Sequence, residues 1–282
     1  MGRWSHPNPP RPDQIDLARP IDWSHPQARG LVAYWPFWLA RSISQAYLDR
    51  ALGRYAMNAG SSDPSLALDP AFGPVASFNG SSNYLLHNAA FLNRGCTMCG
   101  WVNSDYAGSR QSVAFTAKAT AGGTDNLIGL ALAGDVAGDP VRMASYDGST
   151  SSLASSTTGF TAGQWCLASG SVNANGSTAA YINGGSKGTN ATAVGAMTTL
   201  TTTAIGFEND LGVLRRYFDG TIAEVRLYNR VLSDQEHYNL WHPARRWGML
   251  RTLTGPRVFT MPSAPSVFPF FFNRYILRRR YT

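Results

Sequence analysis

The sequence predicts an all-β sandwich with one short helix near its end and an extended arm at each terminus. Charged residues make up only 15% of the 282 positions, while 28 glycines and many small polar residues are present. That balance suits many short strands joined by tight turns. Apolar runs of strand length recur along the chain, separated by Gly, Asn, Asp and Ser clusters, which are turn formers. Helical periodicity is nearly absent outside Asp234 to Trp241.

Residues 1–29 open the chain as an arm, because Pro7, Pro9, Pro10, Pro12, Pro20 and Pro26 are too close together for a helix or a central strand. Strands are expected near 31–37, 75–78, 84–86, 97–103, 112–118, 126–132, 141–146, 165–172, 178–182, 203–207 and 220–229. The Ser/Thr-rich segment 147–163 reads as a loop or edge region, with Leu153 and Phe160 available to tie it to the core. In the run from Phe218 to Trp241 (FDGTIAEVRLYNRVLSDQEHYNLW), Ile222, Val225 and Leu227 mark a strand with a partly buried face. Tyr228 extends that apolar run past strict alternation. Ser233, three residues before Glu236, forms a capping box that starts a helix. Pro243 stops it soon after Trp241, giving about two turns.

The Phe218–Trp241 run resembles the closing segment of LamG-like jelly-roll domains of the concanavalin A-like lectin and glucanase superfamily. GLVAYWPF at Gly30–Phe37 and FNGSSNY at Phe78–Tyr84 are similar to earlier segments of such domains. TMCGWV at Thr97–Val102, YING at Tyr181–Gly184 and AIGF at Ala204–Phe207 follow in the same order. The resemblance implies a sandwich over 30–241 between an N-terminal arm, 1–29, and a C-terminal arm, 242–282. It also covers hydrolases, whose signature places acids two and four or five residues after a strand glutamate. Here Glu224 is followed two residues later by Arg226. Glu224 is therefore expected to pair with an arginine on the sandwich surface, and no catalytic residue is assigned.

The net charge of +7 belongs to the C-terminal segment. From His242 onward there are eight arginines and no acid, whereas residues 31–241 carry a net −2. Cys96, Cys99 and Cys166 are too few for a disulfide framework, and the three-residue spacing of the first two turns them to opposite strand faces. Free thiols in or near a core are expected. The opening MGRWSHPNPPRPDQ has no apolar centre, so no secretion signal is expected. No apolar run reaches the roughly 18 residues of a membrane span.

Neither a nucleophile elbow nor a phosphate-binding glycine loop occurs, and His237 and His242 lack the zinc-protease spacing. LamG-like domains often bind glycans or receptors through rim loops. Asn209 and Asp210, with Asn83 and Tyr84, are the candidate rim ligand-binding residues. Oxygen-rich loops suit a hard cation such as calcium, but no ligand set stands out, so no metal or cofactor is assigned.

The C-terminal segment combines Arg257, Arg278, Arg279 and Arg280 with Phe259, Phe268, Phe270, Phe271, Phe272, Tyr275 and Tyr281. Arginine among aromatics is the composition of interface anchors, and these residues are read as an assembly arm. ARPIDWSHPQARGLVAYW at Ala18–Trp35 resembles the entry to LamG-like proteins of tailed bacteriophages. The expectation is a non-enzymatic virion structural protein, decorating the capsid or forming part of the tail or a fibre. It would be made in the host cytoplasm, with other virion proteins and its own copies as partners. A carbohydrate- or receptor-binding adhesion module, with host-surface glycan as partner, is the alternative. Nucleic-acid contact through the basic tail ranks below both.

Overall fold

The computed structural model describes residues 20–53, 57–59, 62–118, 126–210 and 213–251. In chain order these form β1 (Leu31–Pro36), α1 (Ile43–Ala46), β2 (Asn58–Ala59), β3 (Ser65–Asp69), β4 (Gly73–Asn79), β5 (Leu85–His87), β6 (Cys96–Ser104), β7 (Arg110–Ala117) and β8 (Leu127–Ala133). They continue with β9 (Pro140–Tyr146), β10 (Ser151–Gly159), β11 (Cys166–Val172), β12 (Thr178–Ile182), β13 (Gly185–Asn190), β14 (Thr202–Ile205), β15 (Glu208–Asp210), β16 (Val213–Arg215), β17 (Asp219–Tyr228) and α2 (Asp234–Trp241). The all-β expectation holds, and segment 147–163 contributes an edge strand, β10.

Two antiparallel sheets pack face to face as a jelly-roll sandwich. One runs β13-β12-β11-β6-β17-β4-β3, with β1 also paired to β17, and the other β10-β9-β8-β7-β14-β5-β2. The first half of β17 pairs with β4 and the second half with β1. Between the sheets lies a core with Met98, Val102, Val172, Val225 and Leu227 on one side and Val113, Ile128, Leu130, Val141 and Met143 on the other. Fully burying each such side chain contributes roughly 1.5–3 kcal/mol. Gly100 sits where a Cβ would meet Val113 Cγ1 at 2.7 Å, so glycine lets the sheets approach.

A β-bulge explains the irregular alternation of the closing strand. The register of β17 against β6 shifts between Ile222 and Glu224. The extra residue keeps Ile222, Val225 and Leu227 in the inter-sheet core while Ala223 and Tyr228 join a second apolar layer on the opposite face. This second layer covers the eight-stranded sheet and includes Ile21, Tyr34, Trp38, Phe72, Trp101, Leu240, Trp247 and Met249.

The second layer corrects one expectation: the Glu224–Arg226 pair is not on the surface. Glu224 is 2% exposed and Arg226 1%, because the chain on either side of the sandwich folds back over them. Tyr34 Oη and Trp38 Nε1 donate to Glu224 Oε2 at 2.8 and 3.1 Å. The Arg246 guanidinium lies 3.9 Å from the Trp247 ring centre and 5.0 Å from that of Trp101. Residues 20–29 and 242–251, read from sequence as parts of the arms, are packed structure. Ile21 and Leu250 form an antiparallel bridge, and Asp22 N and Arg251 N donate to Met249 O and Pro20 O at 2.8 and 2.9 Å.

The predicted helix is present with its capping box. Glu236 N donates to Ser233 Oγ at 3.3 Å, and Ser233 N donates to Glu236 Oε2 at 2.9 Å. His242 caps its C-terminal end. His237 is fully buried, between Ser169 Oγ at 2.9 Å and Ser171 Oγ at 3.2 Å, with its ring stacked 3.8 Å from Tyr181. The three cysteines are free and buried, Cys96 and Cys166 between the sheets and Cys99 in the outer layer. Burial pushes each thiol up to about 12. Among the described residues no helix is long and apolar enough to cross a membrane.

Candidate ligand groove on the seven-stranded sheet

Strand alternation sends every second side chain of the seven-stranded sheet away from the core. On β8 these are Leu127, Gly129 and Ala131, and on β9 Arg142, Ala144 and Tyr146; together they line a groove of about 360 Å³. That is within the size range of small-molecule sites. Arg110, Ser112 and Phe115 of β7 and Ser151 and Leu153 of β10 extend the lining to either side. A register shift in β7 between Ser112 and Ala114 brings both Ser112 and Phe115 to this face. A Cβ on Gly129 would stand 2.8 Å from Phe115 Cδ2, so glycine makes room for the ring on the groove floor.

The hairpin of β15 and β16 supplies Glu208, Arg215 and Arg216 to the lining. Glu208 is 4% exposed. Its carboxylate accepts from Arg216 Nη1 at 2.5 and 2.6 Å and from Arg215 Nε at 3.2 Å. Arg216 has φ of 54°, a left-handed conformation disfavoured for a side-chain-bearing residue. Ser112 N donates to Arg216 O at 2.9 Å and fastens the hairpin to the bulged strand.

The electrostatics are cationic. Arg110 pairs with Asp135 at 2.9 Å. Arg142 Nε donates to Ser155 Oγ at 3.0 Å, and among the described residues no carboxylate pairs with it. Burial, then the neighbouring Arg110, hold the Arg142 pKa below its ordinary value; Asp135 opposes them, and Arg216 adds a smaller lowering. Beside the groove the same sheet face carries an aromatic cluster containing Tyr84, Phe115 and Phe207, with the Tyr84 and Phe207 rings 4.0 Å apart and Tyr217 packed against them.

Among the residues singled out from sequence, Tyr84 is buried in this cluster. Asn83 Nδ2 donates to Ser62 Oγ at 2.7 Å and to Asp63 O at 2.9 Å, tying two loops together. Asn209 and Asp210 lie on β15 opposite Leu214 and Val213, with their side chains outside the described residues. Arg257, Phe259, Phe268, Phe270, Phe271, Phe272, Tyr275, Arg278, Arg279, Arg280 and Tyr281 all lie outside the described residues. Sequence reasoning missed the groove arginines, although Arg142 stands in a correctly expected strand. The available signal was a charged residue among apolar positions of opposite phase. Among the described residues no group of three or more His, Cys, Asp or Glu gathers as a metal site.

A family model described as concanavalin A-like lectin/glucanases superfamily (Laminin_G_3) matches residues 78–236, more than half of the chain. The chain belongs to this superfamily. Among solved structures, this lectin/glucanase-like chain is similar to domain 4 of AbnA, an extracellular GH43 arabinanase from Geobacillus stearothermophilus, in complex with arabinotriose. The two are 21% identical with a TM-score of 0.59, over 75% of this chain and 98% of that domain. A tryptophan-to-alanine mutant of HCR/D is 14% identical with a TM-score of 0.53, over 76% of this chain and 52% of that one. A heptameric SAP-like pentraxin from Limulus polyphemus is 14% identical with a TM-score of 0.45, over 59% of this chain and 80% of that one. Comparison with curated proteins returned no match. At these identities the similar structures establish the fold of this superfamily member and nothing finer.

Proposed function

We propose that the chain is a non-catalytic carbohydrate-binding sandwich whose ligand lies in the groove on the outer face of the seven-stranded sheet. The observation that carries this is the groove: a concave, strand-built floor with Phe115 and Tyr146 for apolar contact and hydroxyls and guanidiniums for polar contact. Rigid strands hold these groups in place. The fold is that of a domain solved with arabinotriose, which agrees with this reading. A glycan array probed with the full chain tests it: binding to at least one glycan class is expected, and silence across neutral and acidic glycans would end the proposal.

Glycoside hydrolysis ordinarily needs two carboxyl groups flanking the bond. Glu208 is the one acid among the described groove-lining residues, and two arginines engage it. Glu224 lies in the other sheet beneath the packed terminal segments. We therefore assign binding and not turnover; release of reducing ends from a bound polysaccharide would overturn that assignment.

A second reading adds a virion setting, in which the sandwich is displayed and the terminal arms grip the particle. It rests on the Ala18–Trp35 resemblance and on one structural observation. Pro20 and Arg251 are hydrogen-bonded neighbours in the layer on the eight-stranded sheet, whereas the groove belongs to the other sheet. Residues 20 and 251, the first and last described, thus lie together on the sheet that does not carry the groove. Deleting residues 256–282 is expected to abolish incorporation into particles while leaving the sandwich folded. Incorporation at the normal level would remove the arm from the account.

A further inference from the structure

We infer that the groove selects an anionic glycan, one bearing a carboxylate on the sugar, and that Arg142 is the residue that reads it. This deepens the carbohydrate-binding reading and rests on it. Among the described residues four arginines line the groove, at positions 110, 142, 215 and 216, against a single lining acid, Glu208. Among the described residues, even with Asp135 counted against Arg110, the groove keeps an excess of two positive charges.

The arginines are not equivalent. Arg110 has Asp135, and Arg215 and Arg216 share Glu208. Among the described residues Arg142 has only the Ser155 hydroxyl as a hydrogen-bond partner, at Nε. It stands on β9, in the middle of the order β10-β9-β8, so a strand and not a mobile loop fixes its position. A guanidinium offers two parallel N–H donors matched to a carboxylate. Burial and the neighbouring Arg110 and Arg216, partly offset by Asp135, disfavour the charged form of Arg142. A bound carboxylate relieves that repulsion, whereas a neutral sugar leaves it in place. Phe115 and Leu153, also in the lining, offer apolar surface to the sugar ring.

The test uses sugars that differ only in the acid: polygalacturonate against its fully methyl-esterified form, glucuronate-terminated oligosaccharides against their glucose counterparts, and sialyllactose against its methyl ester. Binding of the full chain is measured at low and high salt, because the arginine-rich residues 252–282 could attract polyanions on their own. The acidic member of at least one pair is expected to bind at least tenfold more tightly than its neutral partner. Arg142→Gln should lose at least tenfold of that affinity, and Arg142→Lys should recover part of it. Arg41→Gln, an equal charge change at an exposed residue outside the groove lining, should leave it unchanged. Equal or tighter binding of the neutral members overturns the inference while leaving glycan binding intact. Unchanged acidic binding by a folded Arg142→Gln protein also overturns it. Failure of every glycan, acidic and neutral, overturns the proposed function itself.

Discussion

Glu224 and Arg226 pair at 2.7 Å with side chains only 3% and 2% exposed, in the layer between β17 and the packed terminal segments. Their two-residue spacing places both on the same strand face, and Arg226 Nη2 donates to Arg246 O at 2.8 Å. The pair therefore links the closing strand of the sandwich to the segment that follows α2.

Removing one partner of this pair leaves a buried, uncompensated charge. Glu224→Gln is expected to lower stability by about 3–5 kcal/mol, read as a lower urea midpoint. Glu224→Leu combined with Arg226→Met should recover much of the loss, because an apolar pair needs no desolvated counter-charge. A wild-type midpoint for Glu224→Gln would show that the pair is not buried.

His237 gives the fold a pH dependence. Burial holds its pKa down at about 3, against an ordinary value of 6.5. The unfolded chain therefore binds a proton that the folded chain does not, and stability falls as pH drops from about 6.5 toward 3. For one proton the slope approaches about 1.4 kcal/mol per pH unit. Urea unfolding across this range should show the decline in wild type and a flatter profile in His237→Gln; equal slopes would exclude His237 as the source.

Glu236 acts in a lower window. Hydrogen bonds from Arg230 at 2.6 and 2.9 Å, followed by those from Ser233, outweigh partial burial and bring its carboxyl down to about 2 from 4.5. Its contribution is present above about pH 4.5 and is lost as pH falls toward 2. Ser233→Ala removes the reciprocal cap and should cost about 1 kcal/mol at neutral pH, measured by chemical unfolding. No loss would mean that the helix start is held by tertiary packing alone.

The sandwich was legible in the sequence because its central strands are buried on one or both faces and so carry an apolar signature. Cys96–Val102 and Ile222–Tyr228 are such cases. Strand β13, GSKGTN, alternates between exposed and half-buried and has no apolar residue, so nothing in its composition announces a strand. The burial of Glu224 was hidden for another reason: it depends on residues 20–29 and 242–251 returning over the sheet, and Pro-rich, Arg-rich composition suggested arms. The groove was less legible still. Arg110 and Arg142 are far apart in sequence and meet because Arg110 pairs with Ala133 and Arg142 with Ala131 across β8. That site is a product of strand register, for which there is no local motif.

The central claim is that the seven-stranded sheet binds a glycan on its outer face, and blocking that face tests it most directly. Ala144 is a small, half-buried residue in the groove lining, so Ala144→Trp fills the groove without enlarging the core. Titration calorimetry with the best glycan from the array should show at least a tenfold loss of affinity in Ala144→Trp, with the thermal midpoint of the protein unchanged. Undiminished affinity in the folded variant would place the ligand elsewhere and contradict the account.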